Sequence, residues 1–190
     1  MASIVELCNQ SLLMLGQSSI ISLTEDNEAA RLCNGLYVYN RDATIRAYPW
    51  NCAMERVALA QSSDTPDWEY AYKYVLPTDP YCLRTLKMKE SDEFAYAWKI
   101  EGRFLVTDSS AANILYLAQL KDVNKMDVLL RDTIATRLAA AICYPLTGSS
   151  TQQEKMWAAY QAKLREARSV DAQEGTPNTY FHDPFIFARQ

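Results

Sequence analysis

Carboxylates are the groups of this chain best suited to chemistry. Glu90, Asp92, Glu93 and Glu101 gather around an expected hairpin, and a glycosidase needs only two carboxyl groups held about 5 to 9.5 Å apart. They are the first candidates for hydrolysis of a glycan, although loop carboxylates are ordinarily just solvated. Trp68, Tyr70, Tyr72 and Tyr74 recur at every second position, and Trp98 follows downstream. Such rings can stack on a sugar or a base, or form one face of a sheet. Lys87 and Lys89 are the nearest cations, too few to make an electrostatic groove for DNA.

Other familiar chemistries lack their parts. Ser149-Ser150-Thr151 stands between two helical patterns, where helix capping accounts for the hydroxyls without a nucleophile. The five glycines are dispersed, so no loop can bring clustered backbone amides to a phosphate. Cys8, Cys33, Cys52, Cys82 and Cys143 are odd in number and widely spaced, and read as small core residues. A lone His182 has no His or Cys neighbour to complete a metal site or a dyad. Neither a cofactor nor a metal is expected.

The net charge of −4 and pI near 5.1 disfavour tight DNA binding, which calls for a basic stripe. Hydrophobic residues make up 49% of the 190 residues and charged ones 22%, the balance of a globular domain with a real core. No apolar stretch approaches the ~20 residues that cross a bilayer. Met1-Ala2-Ser3-Ile4 does not open a secretory signal, so synthesis in the cytoplasm is expected.

The elements that must position these residues are helical at both ends. Ser3-Ile4-Val5-Glu6 is a capping box, followed by a stripe of Ile4, Cys8, Leu12 and Leu15 that Gly16 stops. Thr24 is expected to cap a second helix, with Ala29, Leu32, Leu36, Tyr39 and Ala43 buried and Pro49 ending it. The segment 50–60 fits a short helix better than a strand. From Thr65 the alternating aromatics predict β structure, continued by strands at 83–88 and 114–119 and by a hairpin around Gly102. Helical period returns with Met126, Leu130, Ile134, Leu138 and Ile142, ended by Pro145 and Gly148. Thr151-Gln152-Gln153-Glu154 is expected to cap a last helix that buries Met156, Tyr160, Leu164 and Ala167.

The predicted fold class is therefore α+β. Residues 1–64 and 121–174 form one discontinuous helical bundle, 65–120 an inserted antiparallel β module, and 175–190 a C-terminal arm rich in aromatics. Tyr180, Phe181, Phe185 and Phe187 in that arm want a surface to cover, on their own domain or on a neighbouring subunit.

The whole chain from Ile4 to Ala172 resembles the tail tubular protein A family of podoviruses. The resemblance rests on Ile4-Val5-Glu6-Leu7-Cys8-Asn9 with Leu15-Gly16, on Arg41-Asp42 leading to Tyr48-Pro49-Trp50-Asn51, and on Arg56 with Leu59-Ala60. It continues through Tyr70-Ala71-Tyr72, Leu76-Pro77, Asp79, Leu83-Arg84, Ile100-Glu101-Gly102-Arg103, Leu138-Ala139-Ala140 and Pro145-Leu146-Thr147-Gly148. Two positions depart from the family pattern: Tyr48 stands where His is frequent, and Cys52 where an aromatic is common. A role that depends on that histidine does not carry over.

The resemblance implies a virion structural protein, a head-to-tail adaptor in a dodecameric ring between the portal protein and the tail nozzle, tail tubular protein B, with tail fibres as a further contact. Arg41, Asp42, Pro49, Trp50, Asn51 and Gly102 would be structural, and Trp68, Tyr70, Tyr72, Tyr74, Trp98 and the arm aromatics would be interface anchors. DNA would pass through without specific binding, helped by carboxylates lining the channel. The rival expectation is a virion-associated glycan hydrolase using the carboxylates of the β module.

Overall fold

The computed structural model describes residues 3–94 and 96–174. The elements in chain order are α1 (Ile4–Met14), α2 (Glu28–Ala47), a 3-10 turn (Asn51–Ala53), β1 (Met54–Ala58), β2 (Tyr72–Val75), β3 (Cys82–Met88) and α3 (Lys89–Phe94). They continue with β4 (Trp98–Glu101), β5 (Phe104–Thr107), β6 (Asn113–Ala118), α4 (Val128–Thr147) and α5 (Ser150–Asp171). The α+β class is as expected, and the helices of the two chain ends bury one shared core. Leu7, Cys8 and Leu12 of α1, Cys33 and Tyr37 of α2, Ile134 and Leu138 of α4, and Tyr160 and Leu164 of α5 all belong to it.

Local chemistry explains where the helices begin and end. Ser3 accepts from the Glu6 backbone N–H while the Glu6 carboxylate accepts from the Ser3 N–H, so two orphan amides of α1 are satisfied reciprocally. Gly16 follows with φ 71°, and Gly148 closes α4 with φ 66° and its N–H on the Tyr144 carbonyl. Ser11 Oγ lies within hydrogen-bond distance of the Leu7 carbonyl in its own helix at 3.0 Å and of the Ala135 carbonyl at 2.9 Å, the second contact tying α1 to α4.

Several expectations are corrected. The cap of α2 is Asn27, whose side chain accepts from the Ala30 N–H; Thr24 lies a turn too early. Its buried face is Ala30, Cys33, Tyr37, Asn40, Arg41, Thr44 and Ile45, while Tyr39 is 74% exposed. Polar residues occupy the stripe because their side chains find local partners: Thr44 Oγ1 donates to the Asn40 carbonyl and Asn40 Nδ2 to that of Leu36. The 50–60 segment is a 3-10 turn and then β1, not a helix. Pro145 does not end α4 but sits inside its last turn. The cap of α5 is Ser149, which accepts from the Gln152 N–H, rather than Thr151.

The strands form two three-stranded antiparallel sheets, β1-β6-β3 and β2-β5-β4. Their facing sides share a second core in which Ile114, Tyr116 and Met88 of the first sheet meet Tyr74 and Leu105 of the second. The outer face of the first sheet is divided. Leu117, Met54, Leu83 and Leu86 pack into the helical core, while Arg56, Arg84 and Lys87 remain exposed.

Irregularities in β3 produce that division. Its pairing with β6 shifts between Cys82 and Arg84 and again between Thr85 and Lys87. Each shift inserts one residue, so Leu83-Arg84 and Leu86-Lys87 both face outward as leucine–cation pairs. In regular alternation from Cys82, Arg84 would stand opposite Tyr116 and point into the sandwich core; the first shift sets it opposite Leu117 instead, and the second leaves Lys87 outward, opposite Leu115.

Candidate functional site

The residues singled out by sequence fall into two constellations, one fixed and one exposed. The fixed one lies where the end of α2 meets the end of α5. Pro49 forces Tyr48 into extended backbone and turns the chain so that Trp50 enters the helical core with no exposed surface. Its indole Nε1 donates to the Thr44 carbonyl at 3.0 Å, and the Tyr48 ring stands edge-on to it at 5.0 Å. Asn51 then holds α5: its backbone N–H donates to both carboxylate oxygens of Asp171 at 3.1 and 3.3 Å, and its Nδ2 to the Asp171 carbonyl at 2.7 Å. Arg168 completes the clasp by donating to the Ala47 carbonyl and lying over the Tyr48 ring.

Arg41 and Asp42 form the adjoining part. Arg41 is 4% exposed, and its Nε donates to Asp42 at 2.7 Å. The other Asp42 oxygen accepts from Gln119 Nε2 at 2.6 Å, just beyond β6. The pair therefore couples α2 to the first sheet. Burial raises the Asp171 carboxyl above its ordinary value; the Asn51 N–H opposes this, and Glu174 and Asp127 reinforce it.

The expected aromatic row splits. Only Tyr72–Val75 is strand; Pro66 and the left-handed Glu69 (φ 71°) interrupt the alternation before it. Tyr74 is buried, with its hydroxyl on the Ser109 carbonyl at 2.9 Å, and Tyr72 and Trp98, both opposite Thr107, pack on the same sandwich core. Trp68 and Tyr70 lie instead on the outer face of the second sheet. There they border a cavity of about 250 Å³ with Lys73, Lys99, Glu101 and Val106, and Trp68 is 78% exposed. Tyr180, Phe181, Phe185 and Phe187, like His182, lie outside the described residues.

Among the suspected carboxylates, Glu90 is buried, and both of its oxygens accept from Asn113, one from the backbone N–H at 2.9 Å and one from Nδ2. Burial pushes its carboxyl up, but these donors outweigh it and leave the group below its ordinary value. Glu101 is exposed and 3.5 Å from Lys99. Asp92 and Glu93 belong to α3, an element the sequence did not signal. Gly102 turns the β4–β5 hairpin with φ 60°, as expected.

A feature that sequence reasoning missed is a groove of about 580 Å³ on the open end of the first sheet. Arg56 and Lys87 flank Leu115 from the two neighbouring strands and Lys89 stands beside them, while Val57 and Ile114, which also border the groove, turn their side chains to the sandwich core. The cations come from distant stretches of chain, so only the strand register brings them together. Among the described residues no group of three or more His, Cys, Asp or Glu is placed to hold a metal ion. No helix among them is long and apolar enough to cross a membrane. No protein-family model matches the chain, and no curated protein matches it.

Proposed function

We propose that this chain is a structural protein of a phage virion, a head-to-tail adaptor that forms a ring between the portal and the tail nozzle and gives passage to DNA. The observation that carries this reading is the contrast between the two constellations. The Tyr48-Pro49-Trp50-Asn51 motif fastens the end of α2 to α5 in one helical core, and Arg41-Asp42 joins that core to the first sheet. The β sandwich, joined to that body through its first sheet, presents Trp68 and a cationic groove outward. A subunit of a head-to-tail ring needs such a rigid frame and two dissimilar, complementary flanks. In this reading the cations lie on a flank and carboxylates face the DNA, which the net charge of −4 favours.

The hydrolase alternative gains no comparable support. A glycosidase acid must keep its proton near neutrality, whereas Glu90 is held below its ordinary value by the Asn113 donors. Electron microscopy of the protein mixed with its cognate portal tests the proposal. A ring seated on the portal is expected, and a portal that stays bare under native conditions overturns it. Reducing-sugar release from a host glycan that vanishes in Glu90→Gln or Glu101→Gln, with the ring intact, would favour the hydrolase.

A further inference from the structure

A glycine-rich loop is one way to hold a phosphate, and a set of guanidinium groups is another that needs side chains alone. Elsewhere in this acidic chain cations meet carboxylates, as Arg31 does Asp26, Arg41 does Asp42, Lys121 does Asp79 and Lys163 does Asp132. A cavity of about 440 Å³, where the end of α2 meets β3 and the β4–β5 hairpin, departs from that habit. Arg46, Arg84 and Arg103 line it, and none of its lining residues is Asp or Glu.

Two of the three arginines are fixed by neutral groups. Arg103 donates to the Cys82 carbonyl at 3.0 Å and to that of Pro77, and its guanidinium lies 4.0 Å from the centroid of the Tyr81 ring. Arg46 donates to the Leu83 carbonyl. A guanidinium does not lose its proton in a protein, so carbonyls orient these two without cancelling their charge. Burial pushes the Cys82 thiol up, and the Thr85 hydroxyl and the charges of Arg103 and Arg46 oppose that rise, so a buried neighbour registers the positive field. Bonding to those carbonyls accounts for Arg46 and Arg103 but not for Arg84. The register shift that sets Arg84 opposite Leu117 leaves it exposed at the cavity, and its guanidinium meets no carboxylate among the described residues.

We infer that this cavity binds a nucleoside phosphate, with the phosphate among the Arg46, Arg84 and Arg103 guanidiniums and the base beside Tyr81. Guanidinium forks match phosphate oxygens two at a time. A lone carboxylate would bring one negative charge to three cations, whereas a terminal phosphate approaches two. Tyr81 and Ile100, 39% and 37% exposed, give the cavity an apolar side on which a flat ring can lie. The volume of about 440 Å³ falls within the roughly 300–1,000 Å³ of clefts that enclose small ligands. A free nucleotide and one unit of a nucleic-acid strand present this same chemistry. The site lies within one chain and does not depend on the ring reading above.

Chemical-shift titration of the isotope-labelled full-length chain tests the site, using adenosine monophosphate, inorganic phosphate, adenosine and a single-stranded oligothymidylate as probes. Saturable shifts from adenosine monophosphate are expected at Tyr81, Arg84 and Gly102, with phosphate and adenosine each binding more weakly. Arg84→Gln should weaken the monophosphate about tenfold, the effect of removing one charge-assisted fork. Arg31→Gln, with the same loss of charge outside the cavity, should leave it unchanged, and Tyr81→Leu should weaken the monophosphate but not inorganic phosphate. Urea midpoints equal to the wild type would show that each variant folds. Monophosphate binding that the oligonucleotide does not displace identifies a free nucleotide as the ligand. Oligonucleotide binding that displaces the monophosphate or occurs without it, and that Arg84→Gln weakens, identifies a strand. Saturation by neither probe, shifts confined to residues away from the cavity, or binding that Arg84→Gln and Arg31→Gln affect alike overturns the inference. A ring on the portal in micrographs is untouched by any of these results, so the adaptor reading stands or falls separately.

Discussion

The junction at Trp50 and the turn at Trp68 use the same side chain for opposite ends. At the junction the indole has no exposed surface, its N–H is bonded, and its neighbours Tyr48, Asn51 and Asp171 tie together segments about 120 residues apart in sequence. At the turn the indole is 78% exposed, between two acids. The difference teaches that an aromatic contributes to folding only where its polar edge and both ring faces are covered. Where they are bare, the apolar area is left for another molecule to bury.

The largest expected effect is therefore at the junction. Trp50→Ala removes a fully buried ring and leaves the Thr44 carbonyl without its donor, a change that costs about 3–5 kcal/mol. Urea denaturation followed by circular dichroism measures it. A loss under about 1 kcal/mol would mean that the helical core does not depend on this turn. Arg41→Ala comes next at about 2–3 kcal/mol, because it strips a buried partner from Asp42 while Gln119 still depends on that carboxylate. Here the same titration should be read from both a helix and a β-sheet signal. If the sheet signal melts early, Arg41-Asp42 is the coupling between helices and sandwich.

Much of this frame was legible because it is local. Ser3 and Glu6 announce α1 four residues at a time, and the four-residue steps from Leu130 to Ile142 announce α4. The buried face of α2 was not legible from apolar residues alone, since Asn40, Arg41 and Thr44 share it by bonding locally. β1 was misjudged because its partner β6 follows some fifty residues later, and a lone strand has no period long enough to declare itself. The cationic groove was invisible for the same reason: Arg56 and Lys87 become neighbours only through Leu115, opposite which the strand register sets both. Trp68 was expected in a strand; Pro66 and Glu69 make its segment a turn that leaves the ring exposed.

Two buried carboxylates sharpen the contrast with opposite responses to pH. Asp171, in the helical junction, has its folded value raised by burial. Above its unfolded value near 3.9 the folded state holds more proton than the unfolded one, so its stabilising contribution is complete below that pH and fades as pH rises through the folded value. Glu90, in the sandwich, is lowered by the Asn113 donors against the opposing effect of burial. Its contribution is complete above the unfolded value near 4.3 and is lost as pH falls through the folded one. Urea midpoints measured from pH 3 to 7 on wild type, Asp171→Asn and Glu90→Gln should show the wild-type advantage over Asp171→Asn shrinking as pH rises. The advantage over Glu90→Gln should shrink as pH falls. Matching slopes for the two variants would erase the distinction.

The smallest expected effect is the most discriminating. Trp68→Ala should change the stability of the isolated chain by no more than about 0.5 kcal/mol, the range of a surface substitution that leaves no cavity and no orphaned polar group. Glu69→Gly should be similarly mild: relief of about 1 kcal/mol of left-handed strain is largely offset by about 0.5–1 kcal/mol of added freedom in the unfolded chain. Both are read from urea midpoints beside Trp50→Ala. If Trp68→Ala were to destabilise the monomer by several kcal/mol, the indole would be part of the fold and the reason to look for a receptor elsewhere would vanish. If it leaves the monomer intact while Trp50→Ala unfolds it, the roughly tenfold difference in cost between two tryptophans eighteen positions apart has one physical source. One ring has its burial complete within the chain, and the other has its burial still to come.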